Sequence, residues 1–404
     1  MKLNLRDPER LKHYSFLALM AEAFFIPLMR EAAFVSAFAG IVFLLLRARY
    51  EPDFHFRRTC LDWPIAVFVL FGALSVTASP NPFFSAYNFC FLVGLYVSGY
   101  VLAVQTIESE AQLKKLVLAL AASALLVVLY GYWQIIFGID TSDMKWVDGD
   151  AFPELKKRIF STLENPNILA GYLAEVVCFL LGFVLSEEEG KRRSLLLVGI
   201  LLTVGCLAMT YARGACMSLI AVVAGYGLLK NRKVFLGCIA FGVIVLLLSP
   251  SLSERLLSVF VRLDTSSEMR LALWESTIAM IEDHPFLGIG WGAYFMVYHS
   301  YDFYINNPSV LIVHAHNVYL NYAAEIGVIG AAAYFTFFFG SLYCALKATA
   351  LEQNVFRAGF RLGAGLAIAS VALGGMTDDV LFNIPTSMLF WLVCGMLQRC
   401  RELP

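Results

Sequence analysis

Long apolar runs alternate with short polar connections along most of this chain. Runs of about 15 to 25 residues have the length that a helix needs to cross a hydrocarbon core ~30 Å thick. The pattern therefore predicts an all-α, polytopic membrane protein with about twelve transmembrane helices. We place them near residues 14–29, 31–46, 62–79, 87–104, 114–137, 166–186, 194–211, 214–229, 234–249, 326–346, 358–375 and 381–398.

Two polar interruptions are longer than the rest, at residues 139–165 and 250–325. They divide the chain into residues 1–249, with nine helices and the small loop 139–165, a large loop at 250–325, and residues 326–404 with the last three helices. We expect the large loop to be partly helical. Apolar positions from Leu252 to Phe260 have the spacing of an amphipathic helix in the headgroup plane.

A second helix is predicted in the large loop from the run MRLALWESTIAMI. Its apolar positions Leu271, Trp274, Ile278 and Ile281 recur at helical intervals, so we expect that face to pack onto the bundle. Pro285 should end this helix. The three glycines of HPFLGIGWG then predict a turn, which is either structural or a donor of backbone N–H groups to a phosphate.

Composition supports the membrane class and excludes a soluble protein. Of the 404 residues 59% are hydrophobic and only 15% are charged, more apolar side chains than a soluble core can bury. The net charge of -1 identifies no partner, and no nucleic acid is expected. The nine cysteines lie in or at the edges of apolar runs, so we interpret them as packing residues, with no disulfide and no zinc site.

Basic residues test the helix count independently, because Lys and Arg accumulate on the cytoplasmic side of membrane proteins. With twelve crossings, seven basic segments fall on one side: 2–12, 47–58, 114–115, 191–193, 230–233, 347–361 and 399–401. This predicts an inner-membrane protein with both termini in the cytoplasm. Residues 80–86, 139–165, 250–325 and 376–380 are then outside. The first apolar run lacks a small-residue cleavage site and reads as an anchor.

The residues best suited to catalysis lie in segments that are predicted to be outside the membrane. His314 and His316 precede the tenth helix, and histidine is the side chain that accepts and donates protons near neutral pH. A histidine that is only hydrogen-bonded at an interface is the alternative. Arg213 stands at the outer end of the seventh helix, where a guanidinium beside hydrocarbon turns toward a partner or a wet cavity. Arg270 shares one side of its predicted helix with Trp274.

Three further patterns have a structural and a functional interpretation. Asn165-Pro166-Asn167 suits a helix start, with Pro166 in the first helical position. Asp148 and Asp150 flank a glycine and could hold a divalent metal, although such carboxylates are usually solvated. Ala323, Gly327 and Ala331 form a small-residue face that lets a neighbour approach closely.

Several of these segments together resemble the O-antigen ligase family, which includes O-antigen polymerases and related envelope glycan transferases. The resemblance is carried by RIFSTLENPNILAGYLA, the Arg-Gly-Ala at 213–215, RLALWESTIAMIEDHPFLGIGWG and HAHNVYLNYAAEIGVIG, over roughly residues 155 to 345. It implies a GT-C-like helical fold, an undecaprenyl-diphosphate-linked glycan as donor, inversion at the sugar carbon, and no metal or cofactor. His316 matches the catalytic histidine, Arg213 the first arginine and Arg270 the loop arginine that engages the diphosphate. Met217 stands where the ligase pattern has leucine.

The chain is therefore expected to move a glycan from undecaprenyl diphosphate to an acceptor hydroxyl, on lipid A-core, at the periplasmic face of the membrane. His316 would deprotonate the acceptor, and Arg213 and Arg270 would clamp the diphosphate. Further candidates for substrate binding are Arg158, Asn165, Asn167, Trp274, His314, Asn317, Tyr319 and Tyr322. Three alternatives stay open: a polymerase that joins two lipid-linked repeats, a solute transporter, and a structural envelope protein.

Overall fold

The computed structural model describes residues 6–138, 158–187, 190–248, 265–304, 311–347 and 352–403, and contains no strand within these ranges. The α-helices, in chain order, are α1 (Pro8–Phe25), α2 (Arg30–Tyr50), α3 (Asp62–Ser75), α4 (Pro82–Asn88), α5 (Gly94–Thr106), α6 (Glu110–Phe137), α7 (Pro166–Ser186), α8 (Lys191–Ala208), α9 (Arg213–Lys230), α10 (Arg232–Leu248), α11 (Thr265–Asp283), α12 (Tyr294–Val297), α13 (Val318–Leu346), α14 (Val355–Gly374) and α15 (Ile384–Glu402).

Every predicted membrane span coincides with helix. A π-helical turn at Phe89–Val93 joins α4 and α5 into one span, Pro82–Thr106. Among the described residues this span and six helices, α2, α6, α7, α9, α13 and α14, are long and apolar enough to cross a membrane. Shorter or less apolar helices, α1, α3, α8, α10 and α15, occupy the other predicted positions. The all-α, polytopic fold class is confirmed.

Asparagine caps start five of the membrane helices. The side chains accept a hydrogen bond from a backbone N–H in the first turn of α4, α7, α13, α14 and α15, and the capping residues are Asn81, Asn165, Asn317, Asn354 and Asn383, respectively. The first N–H groups of a helix have no partner within the helix, and in a membrane they cannot be left unsatisfied. The caps therefore fix where the chain enters the bundle.

Glycines allow the closest approaches between helices. At Gly182 in α7 an added Cβ would overlap the backbone of Gly363 in α14. At Gly395 in α15 it would lie 2.6 Å from the carbonyl oxygen of Tyr100 in α5. Apolar side chains gain little free energy by moving from lipid to a neighbouring helix. Small residues, which let backbones pack tightly, therefore help to hold membrane helices together.

The connections gather at two ends of the bundle, as the predicted sides require. At one end Thr162 Oγ1 donates to the Pro27 carbonyl at 2.5 Å, and the N–H of Val318 donates to the Gly375 carbonyl at 2.8 Å. These contacts join connections that the charge pattern places outside. The outward direction of this end stays a prediction.

The opposite end is held by charged side chains. The Arg399 guanidinium donates to the Ile107 carbonyl at 2.9 Å, and the Asn354 amide donates to Glu110 at 2.7 Å. Both contacts join segments that the charge pattern places in the cytoplasm.

The prediction for the buried face of α11 is wrong for two of its four residues, while Trp274 and Ile281 pack against the buried cluster as expected. Leu271 and Ile278 are each 45% exposed, while Leu273 and Thr277 are fully buried. Thr277 lies inside because its hydroxyl contacts the Tyr294 hydroxyl at 2.7 Å. Hydrophobic spacing alone cannot show that a threonine has such a partner. The helix ends at Asp283, as Pro285 predicted. The predicted amphipathic segment 252–260 and the Asp148-Asp150 pair lie outside the described residues.

Candidate active site

The start of α13 is bound to the connection between α14 and α15. The Asn317 side chain accepts the N–H groups of Tyr319 and Leu320 at 3.0 and 3.1 Å and donates its amide to the Met376 carbonyl at 3.1 Å. Asn317 therefore caps the helix and at the same time holds residues 375–379 beside it. This brings a carboxylate next to the predicted catalytic histidine.

His316 pairs with Asp378, which is 62 residues further along the chain. His316 Nδ1 lies 3.0 Å from Asp378 Oδ1, and about a third of the histidine side chain is exposed. The backbone of His316 has a φ of 48°, a left-handed conformation that costs a non-glycine residue on the order of 1 kcal/mol. Its N–H donates to His314 Nδ1 at 3.1 Å, so surrounding contacts hold the strained conformation.

His314 supports His316 as a neutral ring. Burial, reinforced by the nearby His316, lowers the pKa of His314 to about 3. Its ring centroid lies 4.2 Å from that of His316 and 4.7 Å from that of Phe382. Because His314 Nδ1 accepts a hydrogen bond, its proton belongs on Nε2. His314 thus adds no charge at neutral pH.

Asp378 is ionised at neutral pH. Burial by itself would raise the pKa of this carboxyl, but the hydrogen bond from His316 and the electrostatic effect of His316 and Arg270 lower it below its usual range. Arg270 is therefore within electrostatic reach of the pair. In contrast, burial and the negative charge of Asp378 raise the pKa of the adjacent Asp379 to about 7.

Arg213 begins α9 beside the same connection. A Cβ added to Gly214 would lie 3.4 Å from Thr377 Oγ1, so the first turn of α9 packs against the residue that precedes Asp378. The structure thus brings the backbone of Arg213, the charge of Arg270 and the ring of His316 to one end of the bundle, around residues 375–379.

Arg158 and the two asparagines near it hold the outer segment in place. Arg158 donates to the Asn167 side chain and to the Thr210 carbonyl, both at 2.6 Å. Asn165 accepts the N–H of Asn167 at 2.8 Å. Thr210 lies three residues before Arg213, so these contacts fix the turn from which α9 starts. A role for these three residues in substrate binding stays a prediction.

Both tyrosines after His316 serve the packing of α13. The Tyr319 hydroxyl donates to the Ala372 carbonyl in α14 at 2.8 Å. Tyr322 is 8% exposed and stacks on Tyr334 with centroids 4.1 Å apart. Trp274 packs beside the buried face of α11. In this conformation Tyr322 offers little surface to a sugar, and the substrate contacts of all three residues stay predictions.

The turn at residues 284–292 is bonded to a break in α13. Gly327 has φ 72° and ψ 168°, which interrupts the helix and frees two carbonyls. The carbonyl of Ala324 accepts from Ile289 N–H at 2.8 Å, and that of Glu325 accepts from Gly290 N–H at 3.1 Å. At Gly327 an added Cβ would overlap the carbonyl of Phe286, so only glycine fits.

The same contacts decide between the two interpretations of this turn. The Gly292 N–H donates to Glu325 Oε2 at 3.0 Å, and the Gly288 N–H donates to the His284 carbonyl at 3.1 Å. These N–H groups are occupied within the protein. For these N–H groups a phosphate cradle is therefore excluded in this conformation, which supports the structural interpretation of the turn.

Two carboxylates of the site were not singled out from the sequence. Asp378 lies in the predicted outer segment 376–380, and its position on the same side as His316 was the available signal. Glu325 lies about two turns into α13, within an apolar run of the sequence. Both acquire their roles through contacts with residues distant in the chain.

The site also has the donor groups of a metal centre. His314, His316 and Asp378 each offer one ligand atom, and these atoms lie within 4.8 Å of one another. Two imidazoles and a carboxylate suit zinc or iron. The expectation that the reaction uses no metal therefore stays a prediction.

A comparison with protein families matches residues 198–335 to the family described as O-Antigen ligase. The matched segment runs from α8 into α13 and includes Arg213, Arg270 and His316, while Asp378 lies beyond it. The resemblance seen in the sequence is thus confirmed over residues 198–335. No curated protein matches the chain.

Proposed function

We propose that this membrane protein is an O-antigen ligase-like glycosyltransferase that moves a glycan from undecaprenyl diphosphate to a hydroxyl of lipid A-core. The proposal rests on the hydrogen-bonded pair of His316 and Asp378, 3.0 Å apart, within electrostatic reach of Arg270. The family match supports the general class, a glycan transferase acting on lipid-linked substrates.

The pair has the arrangement of a general base and the carboxylate that orients it. Since Asp378 is ionised, it accepts the proton on Nδ1 of His316, which leaves the lone pair of Nε2 for a substrate proton. In the proposed reaction Nε2 takes the proton of the acceptor hydroxyl as its oxygen attacks the anomeric carbon. Asp378 then stabilises the imidazolium that forms.

The two arginines would act on the leaving group. As the bond between the anomeric carbon and the phosphate oxygen breaks, negative charge builds up on the diphosphate. Arg213 and Arg270 supply guanidinium groups, which bind phosphate oxygens in bidentate fashion and stabilise such charge. Attack from the face opposite the leaving diphosphate gives inversion at the sugar carbon.

The site would face the periplasm. The charge pattern places the connections around His316 outside and both termini in the cytoplasm. Nucleotide sugars are cytoplasmic, so the donor must arrive already activated, and a lipid diphosphate fulfils this requirement. Polymerisation of lipid-linked repeats would use the same chemistry with a different acceptor.

The test is a transfer reaction with purified protein in nanodiscs. We expect lipid A-core, incubated with a lipid-linked oligosaccharide, to become glycosylated, and we expect His316→Ala to remove at least the ~10²-fold that a general base contributes. His299→Ala, at an exposed histidine of the same loop, is the control.

A second acceptor distinguishes the alternatives. Extension of a second lipid-linked glycan, with lipid A-core unmodified, would establish a polymerase instead. Transfer at the wild-type rate by a folded His316→Ala protein would contradict the proposed base.

A further inference from the structure

Two cysteines meet at the end of the bundle opposite the proposed active site. Cys60 precedes α3 and Cys344 lies in the last turn of α13, yet their sulfur atoms are 4.0 Å apart. The sequence gives no sign of this pair, because 284 residues separate its members. A disulfide would require the sulfur atoms to close from 4.0 Å to about 2.05 Å.

A guanidinium contacts both thiols. Arg401 Nη1 lies 3.0 Å from Cys344 Sγ and 3.8 Å from Cys60 Sγ. The Gln398 side-chain oxygen accepts from Arg401 at 3.0 Å and from the Cys60 thiol at 3.8 Å, which fixes the arrangement. A guanidinium at these distances is placed to pair with negative charge that develops on either sulfur during thiol–disulfide exchange.

The two thiols differ in access. Cys60 is exposed, whereas Cys344 is only 6% exposed. A bulky oxidant therefore meets Cys60 first and Cys344 is placed to react second. Cys90 is also exposed, but it lies within the span Pro82–Thr106 and has no sulfur partner among the described residues, so we expect oxidised glutathione to leave it unchanged.

We propose that Cys60 and Cys344 form a redox-active dithiol that closes to a disulfide with a small disulfide oxidant. The Cys60 thiolate attacks one sulfur of oxidised glutathione, forming a mixed disulfide and releasing one glutathione thiolate. The Cys344 thiolate, held by Arg401, then attacks Cys60 Sγ. The second glutathione leaves, so two protein thiols are oxidised and one glutathione disulfide is reduced.

The disulfide would tie together elements that already pack against each other. A Cβ added to Gly340 in α13 would lie 2.8 Å from Leu61, the neighbour of Cys60. The chain before α3 and the last turns of α13 are therefore close neighbours in the reduced protein. The predicted cytoplasmic location means that the pair is reduced at rest and oxidised under stress, as intracellular redox-sensing thiols are.

The test is titration of the full-length protein in nanodiscs with oxidised glutathione, followed by alkylation and peptide mass analysis. When the protein is alkylated after denaturation, we expect Cys60 and Cys344 to lose alkylation together and to appear as one linked peptide pair, while Cys90 is still fully alkylated. Dithiothreitol should reverse the change. The readout is independent of transferase activity, so its failure would leave the proposed function untouched.

Variants separate the proposal from random oxidation. Cys344→Ser should stop the reaction at glutathionylated Cys60, and Arg401→Gln should slow ring closure several-fold, whereas Arg401→Lys should preserve most of the rate. The proposal is overturned if the wild-type protein accumulates only the mixed disulfide, or if Cys60 links to Cys60 of a second chain.

Discussion

Replacing Asp378 by Asn should slow transfer about 10- to 100-fold. A charge-assisted hydrogen bond contributes roughly 1.5–3 kcal/mol, and each 1.36 kcal/mol is tenfold in rate. The exposed fractions of the His316 and Asp378 side chains, 34% and 23%, admit water and favour the lower half of this range. An amide can also donate to Nδ1, which would place the proton on Nε2 and remove the base. In a serine protease triad the corresponding change of tautomer lowers kcat by ~10⁴-fold, and we take this as the upper bound for Asp378→Asn.

The assay is the initial rate of glycan transfer to lipid A-core, measured over a range of donor concentrations. Because Asp378 acts through His316 and not on the donor, kcat should fall while KM for the lipid-linked donor changes little. Asp379→Asn is the matched control, since it removes the neighbouring carboxylate and leaves the His316 contact intact. A folded Asp378→Asn protein with wild-type kcat, or a loss confined to KM, would refute the reasoning.

Three other predictions concern the structure around the site. Gly327→Ala should lower the yield and thermal stability of the protein, since the added Cβ overlaps the Phe286 carbonyl at a positive φ, while Gly225→Ala, which meets no atom within 4 Å, should not. The pKa of Asp379, about 7 in the folded protein against an ordinary 3.8, means that the stability it contributes is fully present below pH ~4 and lost as pH rises through 7. Asp379→Asn should flatten this pH dependence of stability, which is worth about 4 kcal/mol at most. The measurement is thermal unfolding of both proteins between pH 4 and 8. An unchanged slope of the unfolding temperature against pH in the variant would contradict the prediction. A strong chelator should leave the transfer rate unchanged, whereas a loss that a divalent cation restores would assign a metal to His314, His316 and Asp378.

The helices could be predicted because their signal is local. Apolar runs mark the spans, Asn165 and Asn317 stand where helices start, and Pro285 marks the end of α11. In each case residues within a few turns of one another carry the information. The distribution of Lys and Arg also agrees with the contacts that join connections at each end of the bundle, while the side of the membrane that each end faces stays a prediction.

The features that could not be predicted from the sequence depend on contacts between residues that are distant in the chain. Asp378 acquires its role from His316, and nothing in its own neighbourhood distinguishes it from Asp379. The break at Gly327 is stable only because Ile289 and Gly290 supply hydrogen bonds to the carbonyls it frees. Such exchanges of backbone partners between distant segments leave no periodic pattern in a single sequence.

The most direct measurement compares wild-type and His316→Ala proteins, each reconstituted with a lipid-linked oligosaccharide and lipid A-core. The account predicts glycosylated lipid A-core from the wild-type protein and a rate at least ~10²-fold lower from the variant. Equal rates from the two proteins would contradict it.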